Sequence, residues 1–122
     1  MISSTHAFLL ATQPLSTMGF SGVTTTASIH LNGPGGQSGT GFPFPRKGFL
    51  SGLAVWDGTT LRTDTDRIEF AAGDKLSVYC QNVGSNFTVK VRLNGTSTVL
   101  EVTGVPFNST LFAVVEFILV RD

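Results

Sequence analysis

The sequence predicts an all-β fold: an antiparallel β-sandwich of jelly-roll type with about eight short strands. No window sustains the apolar spacing of an amphipathic helix, and apolar and polar residues instead alternate in short runs. Turn residues interrupt these runs at intervals of about 8–12 residues, which is typical of sandwiches. A length of 122 residues suits one domain with its own core, so we expect residues 1–122 to form a single domain.

The clearest predicted element is a hairpin. Apolar residues alternate with polar ones from Phe87 to Leu93, and Asn94-Gly95 follows as the signal for a two-residue type I′ turn. Such a turn pairs Leu93 with Thr96 and directs the apolar residues of the second strand to the same face. The other strands before the last one are predicted at Ala7–Ala11, Val23–Leu31, Gly48–Trp56, Thr60–Thr63, Ile68–Phe70 and Lys75–Cys80.

The last predicted strand, Leu111–Val120, is apolar on both faces. One face has Leu111, Ala113, Val115, Phe117 and Leu119; the other has Phe112, Val114, Glu116, Ile118 and Val120. Only one side of a strand in a two-layer sandwich meets the core, so the second side needs a partner chain or a covering arm. We therefore predict the second set as a subunit interface. Its one charge, Glu116, needs an ion-pair partner such as Arg92, Arg121 or a neighbouring subunit.

A Gly/Pro-rich loop or arm is predicted at residues 32–47. Its glycines favour flexibility, and the run Phe42-Pro43-Phe44-Pro45 then favours an extended conformation. Long loops within compact domains are often functional. Phe42–Pro45 is therefore a candidate partner-binding arm; the alternative is that Phe42 and Phe44 close the core.

Composition indicates self-association and excludes several other partners. Charged residues make up only 13% of the chain and hydrophobic residues 41%, with a mean hydropathy of +0.23. A buried interface accounts for so little charge, whereas hydroxyl-rich strands are the alternative. The net charge of zero does not suit nucleic acid. No run reaches the roughly 20 apolar residues of a membrane span, and no basic region precedes Ala7–Ala11 as in a cleaved signal.

Catalytic and metal-binding residue types are scarce and dispersed. The histidines are His6 and His30, and Cys80 alternates toward the apolar face of its strand, so we expect no nucleophilic catalysis. We predict no catalytic residue, metal or cofactor, and no enzyme activity. Calcium at Asp57, Asp64 and Asp66 stays open against solvated turn carboxylates. Trp56 is expected to cap the core, with a sugar-stacking face as its alternative.

Three segments in order resemble small jelly-roll virion proteins of tailed bacteriophages, of the capsid decoration (cement) or fibre-head type. Phe44–Val55 contains a Pro-x-x-Gly step followed by Leu-x-Gly-Leu-x-Val, and Ile68–Val78 and Phe87–Gly95 are similar to segments of the same proteins. The Ala-Gly-Asp step and the hydrophobic last strand also give a weaker similarity to complement- and tumour-necrosis-factor-like trimer domains. The resemblance covers about residues 42–120.

The resemblance implies a homotrimeric virion component. The expected function is a decoration protein that binds the major capsid protein or another virion protein and stabilises the shell. In such trimers the subunits meet along strands that are apolar on both faces, as Leu111–Val120 is. The alternative is a receptor- or carbohydrate-binding head of a phage fibre or tail, which would present an exposed aromatic platform or a calcium site near Trp56–Asp66.

Overall fold

The computed structural model describes residues 15–34, 36–37 and 41–120, and these residues are all-β, with nine strands and no helix. The strands are β1 (Ser16–Val23), β2 (Ile29–His30), β3 (Phe42–Pro43), β4 (Gly48–Trp56), β5 (Leu61–Phe70), β6 (Lys75–Asn82), β7 (Phe87–Leu93), β8 (Ser97–Val105) and β9 (Thr110–Leu119). The predicted fold class is thereby confirmed at the level of an all-β protein. Among the same residues, no helix is long and apolar enough to span a membrane.

The strands form two antiparallel sheets. Sheet A has the order β1-β9-β4-β5, and sheet B has the order β2-β6-β7-β8, with β3 also pairing with β6. Buried side chains from both sheets form one apolar core, which is consistent with a β-sandwich. On one side the sheets are joined by reciprocal backbone hydrogen bonds between Ser21 and Asn32, at 2.9 and 2.8 Å.

Strand prediction succeeded where alternation is strong. β4 has the predicted bounds, and Lys75–Cys80 lies within β6. The prediction of a strand at Val23–Leu31 is wrong, because β1 ends at Val23 and the chain pairs again only in the short β2. Thr60–Thr63 and Ile68–Phe70 belong largely to one long strand, β5. Ala7–Ala11 lies outside the described residues.

The hairpin between β7 and β8 is confirmed, but its register is not the predicted one. Leu93 pairs with Ser97, so the loop has three residues, with φ of 57° at Asn94 and 78° at Gly95. Asn94 is held by Lys75 at the start of β6: its amide donates to the Lys75 carbonyl at 2.8 Å, and its Oδ1 accepts from the Lys75 amide at 3.1 Å. This third strand fixes the turn. Leu100 and Val102 still face the core, because β8 contains compensating bulges.

The segment that ends the predicted loop closes the core. Phe44 is only 2% exposed; its ring stacks on Phe70 with centroids 3.7 Å apart and meets Phe117 edge-on at 5.3 Å. Its backbone pairs with the β5–β6 turn, since Phe44 N donates to the Asp74 carbonyl and Gly73 N donates to the Phe44 carbonyl. Phe44 therefore follows the core-closing alternative, and its ring is not available to a partner.

Phe42 is half-buried against the core, whereas Pro43 and Pro45 are exposed. Just before them, Gly41 has a φ of 86°, and a Cβ there would lie 2.5 Å from the Leu76 carbonyl oxygen. Only glycine fits this close approach. The binding of a partner by the candidate arm Phe42–Pro45 stays a prediction. Within this segment, Pro43 and Pro45 are the exposed residues.

Phe44→Ala is expected to lower the free energy of unfolding by about 3–5 kcal/mol, because the loss of the ring leaves a cavity between Phe70 and Phe117. Urea unfolding followed by circular dichroism measures the change. Arg46→Ala, at an exposed neighbouring position, is the control and should stay within about 0.5 kcal/mol of wild type. Equal effects of the two substitutions would contradict a core position for Phe44.

Candidate interaction surface

The two faces of β9 have different surroundings. β9 lies between β1 and β4 in sheet A, so both of its edges are paired. Alternate residues from Leu111 to Phe117 are buried in the core. Of the predicted interface set, Phe112, Val114, Glu116 and Ile118 point to the outside of sheet A, and Val120 follows the end of the strand. The expected two-sided strand is therefore present, and its second face lies on the outer face of sheet A.

The outer face of sheet A carries a group of exposed apolar side chains. Phe112 pairs with Trp56 of β4, and Trp56 pairs with Leu61 of β5, so these three lie side by side across the sheet. Val114 follows in the next row, opposite Gly19 and Ala54. Five of the seven exposed large hydrophobic residues in the described part of the chain belong to this face: Val23 (76%), Leu61 (59%), Phe112 (52%), Trp56 (41%) and Val114 (37%). We name these five the apolar patch.

Trp56 lies outside the core, contrary to the expectation that it caps the core. The alternation of β4 places Val55 in the core and Trp56 outside. Leu61 was missed entirely, because it stands at the start of a strand whose other residues are mostly polar. Its partnership with Trp56 depends on the β4–β5 register, which the sequence of either strand alone does not show.

Glu116 lies in the same face, one row beyond Val114. It is half-buried between Thr17 of β1 and Gly52 of β4, and a Cβ on Gly52 would lie 3.3 Å from its Oε1. No hydrogen bond or ion pair joins Glu116 to another residue within 15–34, 36–37 and 41–120. Arg92, one expected partner, belongs to sheet B, and Arg121 lies outside the described residues.

Near Ile118 and Val120, at the end of β9, the outer face contains both charged and apolar side chains. Phe49 pairs with Ile118, and the Arg67 guanidinium lies over the Phe49 ring, 3.9 Å from its centroid. Val120 lines a hollow of about 290 Å³ there, together with Lys47, Gly48, Phe49, Arg67, Glu69 and Phe70. The apolar patch thus passes into a mixed region whose Arg67 contacts Glu69 at 3.8 Å, with both side chains exposed.

Within sheet A, charged residues are concentrated on the edge strand β5 and are rare on the other three strands. β1, β4 and β9 contain one charged residue among them, Glu116, whereas β5 alone contains Arg62, Asp64, Asp66, Arg67 and Glu69. Charges and bulges on edge strands prevent unwanted strand pairing. The edge strand β8 of sheet B has two register shifts against β7. These two edge strands are thus protected, and the outer face of sheet A carries most of the exposed large apolar side chains of the described residues.

A tight turn holds Trp56 and Leu61 beside each other. The Oδ1 atom of Asp57 accepts hydrogen bonds from the Thr60 amide at 2.8 Å and the Thr59 amide at 2.9 Å, and its Oδ2 pairs with Arg62. These interactions favour the ionised carboxylate, so the Thr60 and Thr59 amides and the Arg62 charge hold the pKa of Asp57 well below 3.8. Asp57 is therefore part of the scaffold that positions the patch.

The three carboxylates considered as calcium ligands, Asp57, Asp64 and Asp66, each make a separate interaction. Asp57 binds its own turn, Asp64 accepts from the Glu101 amide at 3.0 Å, and Asp66 accepts from the Arg67 amide at 2.8 Å. Asp64 and Asp66 lie within β5, so they are not residues of a turn. Across the described residues, no three His, Cys, Asp or Glu side chains gather as metal ligands.

The candidate nucleophile and base lie on opposite faces of sheet B. Cys80 pairs with Ile29 and is buried in the core, where burial raises the pKa of Cys80 to about 12. His30 pairs with Tyr79 on the outer side, their ring centroids 4.7 Å apart, and burial and then the charge of Arg92 lower the pKa of His30. The fold does not bring them together. His6 lies outside the described residues.

Compared with known proteins, the chain matches no family model, no curated protein and no solved structure.

Cys80 is expected to resist thiol reagents in the folded protein. A pKa of about 12, against an ordinary value of 9.0, reduces the thiolate fraction near pH 8 by roughly 1,000-fold, and burial also blocks access. Labelling with a chromogenic disulfide should be slow in buffer and should reach one thiol per chain in 6 M urea. Rapid labelling without denaturant would contradict this environment.

Asp57 is expected to make the fold sensitive to acid. Because its folded-state pKa is lowered, the stability that it contributes is present above about pH 4 and is lost as the pH falls below the unfolded-state value of 3.8. Asp57→Asn should therefore be less stable than wild type at pH 7 and lose less stability on acidification. Urea unfolding between about pH 7 and pH 3 measures both. Asp66→Asn is the matched control, and an equal response from it would argue against the role of the turn.

Proposed function

We propose that this protein is a structural virion protein, a homotrimeric jelly-roll decoration (cement) protein that binds and stabilises a capsid shell. The observation that carries the proposal is the apolar patch on the outer face of sheet A. Patches of this kind on folded domains mark interaction sites. A subunit that assembles by this face and then attaches to a lattice of capsid subunits needs no catalytic site, metal or cofactor.

The dimensions of the face suit a protein partner. Four strands about 4.8 Å apart, each of eight to ten residues at about 3.3 Å per residue, give an outer face of roughly 550 Å². A standard interface uses about 800 Å² from each partner, so this face supplies most of one contribution. Aromatic residues such as Trp56 and Phe112 are enriched in interfaces, and charge is depleted from interface cores.

A second copy of the chain is the partner that these properties favour. Eight basic and eight acidic residues give a net charge of zero, so copies approach one another without long-range repulsion. The outer face contains both a carboxylate, Glu116, and a guanidinium, Arg67, and it can thus complement itself. Edge-to-edge association through β5 or β8 is opposed by the charges of β5 and the bulges of β8.

The jelly-roll and virion parts of the proposal rest on strand order and on resemblance. In sheet B, the consecutive strands β6, β7 and β8 are flanked by β2, which reaches β6 through a long connection; this is similar to the Greek-key order from which jelly rolls are built. The segments similar to phage virion proteins fall on β4, β5–β6 and β7. Stabilisation would be passive: apolar area buried at each contact, repeated over a lattice, opposes expansion of the shell.

A recognition head remains the second candidate, because Trp56 and Phe112 lie side by side and are about half exposed. Such a pair is the aromatic platform expected of a carbohydrate-binding face. A glycan array probed with the labelled protein tests it, with Trp56→Ala as the control. Binding that disappears in Trp56→Ala, from a protein that is monomeric, would favour this candidate over the structural one.

Phe112→Lys and Leu61→Lys are each expected to weaken self-association by at least about 30-fold, since each places a charge within the proposed contact. Light scattering coupled to size exclusion, and sedimentation at several concentrations, measure the mass and the dissociation constant; a trimer is expected for wild type. The change in monomer stability should be small, because both positions are exposed.

Val83→Lys is the matched control. Val83 is 53% exposed, against 52% for Phe112, but it lies after β6 of sheet B, away from the outer face of sheet A. It should associate as wild type does. A monomeric wild type, or a trimer that all three lysine variants leave unchanged, would refute the role proposed for the outer face.

A further inference from the structure

Glu116 is the residue on the outer face of sheet A that apolar cover would disturb most. The inference drawn from it rests on the proposed self-association. The side chain is half-buried in the isolated chain and has no ion-pair or hydrogen-bond partner among residues 15–34, 36–37 and 41–120. A second copy placed over Val114 and Phe112 removes most of the remaining water from Glu116. An ionised carboxylate tolerates this only if a cation or a set of hydrogen-bond donors replaces the water.

The cations available to Glu116 can be sorted by position. Lys75, Lys90 and Arg92 belong to strands of sheet B, on the other side of the sandwich. Arg46 and Lys47 precede β4, and Lys47, which lines the hollow beside Arg67, already makes an interaction within its own chain. Arg121 lies outside the described residues. The strands of sheet A contribute two cations, and one of them, Arg62, is committed to Asp57 beneath the turn. The other is Arg67. Within one chain β4 separates β5 from β9, and Arg67 forms no ion pair with Glu116.

Arg67 is held in a position that suits a contact between chains. Its guanidinium lies over the Phe49 ring at 3.9 Å, so the plane of the group is supported from below. Its side chain stays 65% exposed. The contact with Glu69 is 3.8 Å long, both groups are exposed, and pairs of this kind contribute little. The planar fork of an arginine can therefore be redirected to an incoming carboxylate at small cost.

We propose that Glu116 of one copy pairs with Arg67 of the neighbouring copy, and that this ion pair fixes the register in which the outer faces meet. Apolar contact among Phe112, Trp56 and Leu61 is non-directional and permits many relative positions. A buried carboxylate excludes every position that leaves it without a partner, which is how polar groups specify one register in an interface.

A charge-swap series on the full chain tests the pairing. Glu116→Arg alone and Arg67→Glu alone should each weaken self-association by at least about 30-fold, because each places two like charges together across the contact. The double variant Glu116→Arg/Arg67→Glu restores opposite charges in every contact, whatever the number of copies, and should recover most of the affinity. Glu101→Arg, an exposed position of β8, is the charge-matched control and should behave as wild type.

A second series covers the case in which arginine at position 116 disrupts the sheet beside Gly52. Glu116→Gln, Arg67→Gln and the double glutamine variant form a double-mutant cycle, with sedimentation giving the dissociation constants and circular dichroism confirming the fold. A coupling of at least about fivefold in the association constant supports the pair.

Additive single effects in the glutamine cycle, or a charge-swapped double variant no tighter than its two parents, would overturn the pairing while leaving self-association intact. A wild-type chain that stays monomeric up to about 1 mM would instead overturn the proposed self-association, and the pairing with it.

Discussion

The molecule is organised around the double pairing of β9. A strand between two neighbours satisfies its backbone hydrogen bonds on both edges, and both of its faces are then free to be apolar. The inward face supplies Leu111, Ala113, Val115 and Phe117 to the shared core. The outward face has the same apolar character, but no layer of the described chain lies over it. The exposed patch is therefore a consequence of the strand on which the sheet is built.

The neighbouring strands adapt to β9. Facing Val114 and Glu116, the outer positions of β1 and β4 are mostly small: Gly19 and Thr17 on one side, Ala54 and Gly52 on the other. Large partners appear at the two ends of the strand: Phe49 lies opposite Ile118, and Trp56 lies opposite Phe112, where the Asp57 turn returns the chain to Leu61. The outer face therefore has small neighbours around Val114 and Glu116 and large apolar side chains toward its ends.

The sequence predicts those elements whose pattern is local. The bounds of β4 were predicted although Trp56 was assigned to the wrong face, and β7 alternates so strongly that both its bounds and its inward residues could be read directly. β1 could not, because it is mostly Gly, Ser and Thr, with only Met18 and Phe20 buried; its extended state comes from pairing with β9. Asp64 and Asp66 are residue types typical of turns, so the sequence did not indicate a strand there; pairing of β5 with β4 makes the segment extended.

The candidate surface was half predictable on similar grounds. The outward position of Phe112, Val114 and Glu116 follows from the alternation of one strand, and the sequence predicted it. Trp56 and Leu61 complete the patch only through the registers of β4 with β9 and with β5, and each register includes a bulge near Gly52. A bulge shifts every later residue to the other face, and no local pattern marks its position. Phe44 illustrates the converse, since a flexible, proline-rich segment became core through its contact with Phe70 and Phe117.

The contrast between the two outer faces limits how such a subunit can assemble. Sheet B presents Tyr79 with Arg92 over its ring and His30 against it, a polar layer that gains nothing from apolar cover. In the proposed assembly the outer face of sheet A makes the contact between copies, and growth into open filaments would need a second apolar surface. A closed ring needs no second apolar surface if two different parts of the same face form the contacts with the two neighbouring copies. Glu116 on a central strand and Arg67 on the edge strand are two such parts, and in a ring each copy contributes one to each neighbour.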